Sequence, residues 1–252
     1  MVSQRICKSH PMTQSVMNLE RVVSGMQEPM QRFVDRVQTL GGENCLAVIG
    51  VGAIATSVFD PARHTARSVL VLETVDLAML RELAKDGVKL GKAKIAAPLI
   101  MTPVYIAGSL DTFPLEFLEI QQCHVCFVGT DYFADLSFEE RHVRLQCERE
   151  LKTILIGMRQ GLLAAAGREK LFGIMEGDIA ERLIRTLRAL LWLHEQRDYL
   201  SAIEIVGRIE QETDRSLPGI RAALQENRQH DWNDFTRLYD EIDGLKTVAD
   251  RW

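Results

Sequence analysis

The chain has 252 residues, 46% hydrophobic and 26% charged, enough to bury one large core or two smaller ones. Its formal net charge of −5 argues against non-specific nucleic-acid binding, which depends on cations neutralising phosphates. The best apolar stretch, residues 46–55, falls short of the ~18 that a membrane span needs. The N-terminus lacks the apolar run of a signal peptide, so a cytoplasmic location without a membrane partner is expected. Residues 1–15 read as a flexible polar leader.

Residues 16–40 place Val16, Leu19, Val22, Val23, Met26, Met30, Phe33, Val34, Val37 and Leu40 at helical spacing. Pro29 in the middle predicts two helices or a kink, and Gly41-Gly42 ends the pattern. Residues 45–50 read as a first strand and 68–73 as a second, apolar on both faces as in a sheet covered on both sides. Asp76 is placed to cap a helix running to about Lys85. Residues 94–101 read as a third strand, and Thr102-Pro103 opens a short helix. Residues 115–121 read as a fourth strand and 125–128 as a fifth.

From Ser137 onward no alternating segment remains. Residues 139–166 form one long predicted helix. Its basic stripe (Arg141, Arg144, Arg149, Lys152, Arg159) is interleaved with glutamates, as on a solvated face. A connector over 167–177 precedes a helix starting at Asp178. Further helices are expected over 199–213, over 218–227 and after Asp231.

The stretch 45–72 is therefore an apolar strand, a Gly-rich turn (Gly50-Val51-Gly52-Ala53), a linker and a second apolar strand. It resembles the core of the nucleotidyltransferase superfamily that includes DNA polymerase beta and kanamycin nucleotidyltransferase. Residues 100–120 and 146–156 resemble a subfamily with a helical C-terminal half. The resemblance covers roughly residues 28–166. It implies an α+β fold: a mixed sheet flanked by helices over 16–136, then an all-α bundle over 137–252.

In that family a Gly-Ser pair follows the first strand, and Asp-x-Asp on the second strand holds the metals. Here Gly52-Ala53 takes the Gly-Ser place, and Ala66 and Ser68 fall at the carboxylate positions. Two-metal phosphoryl transfer needs hard oxygen ligands there. The resemblance thus implies the fold and argues against the usual activity. A third carboxylate belongs on a later strand, where Glu119, or failing it Glu116, is the candidate. Asp60 and Glu73 are weaker substitutes, because Asp60 sits in a turn that satisfies its own backbone. His64, Arg63 and Arg67 make the neighbourhood basic. Gly50, Gly52, Ala53, Ser68 and Arg67 are the candidate ligand-binding residues.

The five cysteines, Cys7, Cys45, Cys123, Cys126 and Cys147, are odd in number and scattered, as in a reducing compartment. Cys123-His124-Val125-Cys126 lacks the second ligand pair of a zinc site, and reads as a strand with buried small hydrophobes. Arg188 and His194 match the Arg-x5-His spacing of RNase helical domains. Positions six apart nevertheless lie about 240° round a helix and do not share a face.

The leading reading is a catalytically inactive nucleotidyltransferase-like module, ligand-binding or regulatory, with no metal and no cofactor. Its ligand is a nucleotide or other anionic small molecule. One alternative is an active transferase using Mg²⁺ with relocated carboxylates. Another is a scaffold that binds a protein partner, or its own second copy, through the C-terminal helices.

Overall fold

The computed structural model describes residues 18–168, 171–225, 231–249 and 252. The predicted leader and Cys7 lie outside the described residues. Two compact units emerge, and they interleave along the chain. The first runs to Pro103 and takes back His124–Tyr132; the second is Val104–Cys123 with Phe133–Trp252.

In the first unit, a 3₁₀ turn at Leu19–Arg21 leads into helix α1, Ser24–Gly41. Its buried residues Met26, Met30, Phe33, Val34 and Val37 follow the predicted stripe. The helix runs through Pro29 without ending, and the interruption falls instead at Val22 and Val23, where the backbone is extended. Pro29 sits in the second turn. It forfeits only the bond to the carbonyl of Gly25, an exposed residue whose carbonyl water can satisfy.

Strand β1 is Cys45–Val51, followed by a 3₁₀ turn at Gly52–Ala55. Strand β2 is Arg67–Leu72. Helix α2, Leu77–Ala84, begins where predicted: Asp76 Oδ1 accepts from the backbone N–H of Ala78 at 2.8 Å and of Met79 at 3.2 Å. Helix α3 is Gly87–Lys92. The third strand is shorter than its apolar run. Strand β3 is only Leu99–Met101, with an isolated bridge from Ile95 to Ala66. Pro98 lies between them and has no N–H to give the ladder.

Helix α4 is Pro103–Ala107. Residues 115–121 are not a strand: they lie in helix α5, Pro114–Gln122. A short apolar run does not reveal its own period, and proline at the first helical position was the signal that decided it. The predicted fifth strand is therefore β4, His124–Gly129. The sheet order is β3-β2-β1-β4, antiparallel except for the parallel β2–β3 pair. Helix α1 covers one sheet face, joining Phe33, Val34 and Val37 to Val48, Leu70, Leu72, Val125 and Phe127 in one core.

The second unit is helical. Besides α5 it contains α6 (Glu140–Ala165), α7 (Phe172–Leu193), α8 (Ala202–Thr213), α9 (Pro218–Ala223) and α10 (Trp232–Ala249). Its core gathers Leu115 and Leu118 of α5, Leu151 and Ile154 of α6, Leu187 and Leu190 of α7, and Leu238 and Ile242 of α10. Helix α7 starts at Phe172, ahead of the predicted Asp178. Phe172 is buried against Phe235 at 5.0 Å, and this anchor outweighs the low helix propensity of Gly173 and Gly177. Helix α8 starts after Ser201, which forms a capping box with Glu204. Asp231 caps α10 as predicted, accepting from the N–H of Asp234 at 3.0 Å. On the basic stripe, Lys152 pairs with Glu148, Arg141 pairs with Glu139, and Arg159 donates to the hydroxyl of Tyr239.

Candidate functional site

The Gly-rich turn has two different reasons for its glycines. A Cβ on Gly50 would lie 2.7 Å from the Phe127 ring and 3.1 Å from Ile54, so Gly50 is a packing requirement. Gly52 has φ +69°, a left-handed conformation that suits glycine, and it starts the 3₁₀ turn. The carbonyl of Ala53 then accepts from both the N–H (3.0 Å) and the hydroxyl (2.8 Å) of Thr56, which closes the turn.

The β1–β2 register pairs Gly50 with Ser68 and Val51 with Arg67. Paired residues share a face and neighbours alternate, so Ser68 and Arg67 point to opposite sides of the sheet. Ser68 shares the face of Leu70, which packs toward α1; it is 2% exposed, and Ala66 is fully buried in that core. The Ser68 hydroxyl has no hydrogen-bond partner among the described residues. Arg67 is exposed and without an ion-pair partner among them. The five candidate ligand residues therefore do not converge on one point.

The same pairing brings in a residue that sequence reasoning missed. Val51 pairs with His124 on its other side, so Arg67, Val51 and His124 form a row across one face. His124 Nε2 lies 2.9 and 3.1 Å from the two carboxylate oxygens of Asp131. Strand alternation was the available signal.

Asp60 is occupied locally. Its carboxylate accepts from the Ala62 N–H at 2.9 Å, and its own N–H donates to His64 Nδ1 at 2.9 Å. Glu73 is exposed just past the end of β2, its N–H bonded to the carbonyl of Asn44.

Glu116 and Glu119 lie on helix α5 rather than on a strand, one turn apart and on one face. Arg185 of α7 reaches both, with Nε 2.8 Å from Glu119 Oε2 and Nη1 3.5 Å from Glu116 Oε1. Gln146 donates to Glu116 at 3.0 Å and accepts from the Leu115 N–H at 3.1 Å. Burial opposes the Arg185 charge, but Glu119 and Glu116 outweigh it and raise its pKa above the ordinary value. These carboxylates thus have a cation built between them.

The Cys-x-x-Cys segment divides. Cys123 closes α5 in the second unit, and Cys126 lies in β4 of the first. Burial pushes the thiols of Cys45 and Cys126 up to about 11, away from the reactive thiolate. Arg188 is buried, donates to the Leu200 carbonyl at 3.1 Å and lies over the Tyr199 ring at 4.7 Å. His194 follows α7, 3.2 Å from Glu212 and stacked on Trp252. The two members of the Arg-x5-His pair thus have separate partners. Among the described residues, no group of three or more His, Cys, Asp or Glu is placed to hold a metal ion.

No protein-family model matches the chain, and no curated protein is significantly similar to it. Among solved structures, the spectinomycin adenyltransferase AAD(9) from Enterococcus faecialis, determined with ATP and spectinomycin, is similar. The match has a TM-score of 0.53 and 11% identity, and covers 88% of this chain and 98% of the other. The chain has a nucleotidyltransferase-like fold. At that identity the likeness is one of fold. Ala66 presents a methyl group and Ser68 a buried hydroxyl. Neither suits Mg²⁺, which takes carboxylate or phosphate oxygens.

Proposed function

We propose that this nucleotidyltransferase-like protein has lost transferase chemistry and serves as a binding or regulatory module for an anionic small molecule. The observation that carries this reading is the pair Ala66 and Ser68, buried at 0% and 2% exposure, on the side of β2 that packs toward α1. A carboxylate placed there would sit in an apolar core, not against a metal. Two further observations support it. Glu116 and Glu119 are neutralised by Arg185, and Asp60 caps its own turn.

The similar adenyltransferase structure holds ATP, so a nucleoside triphosphate is the ligand class to test first. The binding residues in this reading are the backbone of Gly52 and Ala53 with Arg67. Gly50 and Ser68 shape the opposite face. No helix among the described residues is long and apolar enough to cross a membrane.

The experiment is a thermal-stability panel of nucleotides with and without Mg²⁺, paired with an assay for nucleotidyl transfer. A ligand at 100 times its Kd adds about 2.7 kcal/mol, a clear shift. The expected result is a shift that does not need Mg²⁺, is lost in Arg67→Ala, and comes with no transfer product. Mg²⁺-dependent transfer abolished by Glu119→Gln would overturn the reading. It would favour the active alternative, an acidic site in which the carboxylates exchange Arg185 for metal.

A further inference from the structure

The second unit has an open cleft of about 450 Å³, lined by none of the residues assigned to nucleotide binding. Helix α5 builds it with its last two residues. The amide nitrogen of Gln121 donates to the carbonyls of Ala134 (3.2 Å) and Leu136 (2.7 Å) and pins the loop before α6. That of Gln122 donates to the Arg197 carbonyl at 3.5 Å and holds the loop after α7. Trp192 supplies a nearly buried aromatic wall, with Phe138 edge-on at 6.1 Å and the Arg197 guanidinium over its ring at 5.0 Å.

Three groups lining this space lack a complement among the described residues. Gln122 Oε1 is buried and accepts no hydrogen bond. Arg197 is a cation with no carboxylate partner, and Glu140, at the start of α6, is a carboxylate with no cation partner. Leaving a buried acceptor without a hydrogen bond is unfavourable, so a ligand that donates an N–H to it gains more than a surface hydrogen bond would give. The volume lies at the small end of the range for ligand pockets, ~300–1,000 Å³.

We infer that this cleft binds a small zwitterion of the amino-acid class. Its carboxylate meets Arg197, and its protonated amine donates to Gln122 Oε1 and Glu140. The inference uses only second-unit residues and stands apart from the nucleotide reading, so Arg67→Ala leaves it untouched.

The test is the melting temperature of the full chain with each of the twenty protein L-amino acids, followed by calorimetry on any that raise it. N-acetyl and carboxamide forms of each hit are the controls. At least one amino acid is expected to bind while its blocked forms do not. Arg197→Ala and Glu140→Gln, both at exposed positions, are each expected to weaken binding about tenfold or more. No shift with any amino acid overturns the inference. So does binding that persists in both variants or is matched by the blocked forms.

Discussion

Ser68 shows how much one register position decides. Its hydroxyl is buried without a partner, at a place where the alternating face demands an apolar group. Ser68→Ala should therefore stabilise the protein by roughly 1 kcal/mol, read as a higher urea midpoint at unchanged slope. Ser68→Asp, which places a carboxylate at this position, should instead cost several kcal/mol, on the order of 3–5, because it buries an unpaired charge. A Ser68→Asp protein as stable as the parent would show that this face opens to solvent.

Arg185 makes the complementary point. Replacing it with methionine leaves Glu116 and Glu119 facing each other one turn apart without a cation. A loss of about 1–3 kcal/mol is expected, since the pair is only half-buried and water takes up part of the charge. A metal-dependent rise in melting temperature in Arg185→Met but not in the parent would show that the guanidinium stands where a cation can bind.

At the scale of elements, helix α7 owes its first turns to one aromatic anchor. Phe172→Ala should cost about 3–5 kcal/mol, as for other buried aromatics. The amides from Phe172 to Asp178 should also exchange faster than the rest of the helix, measured by hydrogen exchange. Helices α8 and α9 are joined by Glu210, which accepts from Arg221 Nε at 3.1 Å and from the Leu217 N–H at 2.8 Å. Its bond from Arg221 holds the Glu210 carboxyl below its ordinary value of 4.5. A depressed acid stabilises the folded state above the unfolded pKa and loses that contribution as pH falls through the folded one. Glu210→Gln should thus be less stable than the parent at neutral pH. The gap should narrow as pH falls below the ordinary 4.5 and close as it passes the lowered folded value, followed by urea titration.

For the whole molecule, the interleaved path matters most. Leu115 and Leu118, each 1% exposed, belong to the helical core although they precede β4 in the chain. A fragment of residues 137–252 loses both, and should show helical far-UV circular dichroism with weakened near-UV signal and a lower urea midpoint. A fragment that keeps the full stability of the parent's second unit would mean that α5 adds nothing to this core.

Several features are legible in the amino-acid sequence alone, because they depend on neighbours within a few residues. The α1 stripe, the Asp76 and Asp231 caps, the Gly-rich turn and the apolar runs of the first two strands are of this kind. The caps and the turn close their hydrogen bonds and backbone angles locally, and the side-chain pattern of α1 and of the strands is long enough to read. Other features depend on contacts far apart in sequence. Residues 115–121 suit a strand or a helix equally by period. The helix that forms sets Leu115 and Leu118 in the same core as Leu187, and brings Glu116 and Glu119 to Arg185. The pairing of Val51 with Arg67 and His124, and the convergence of Gln122, Trp192 and Arg197, likewise exist only once strands and helices meet. The amino-acid sequence by itself determined which segments carry apolar faces and where the chain turns. Tertiary packing alone decided which period an ambiguous run adopts and which charges face one another, because burial rewards a face only against a partner that the local sequence does not contain.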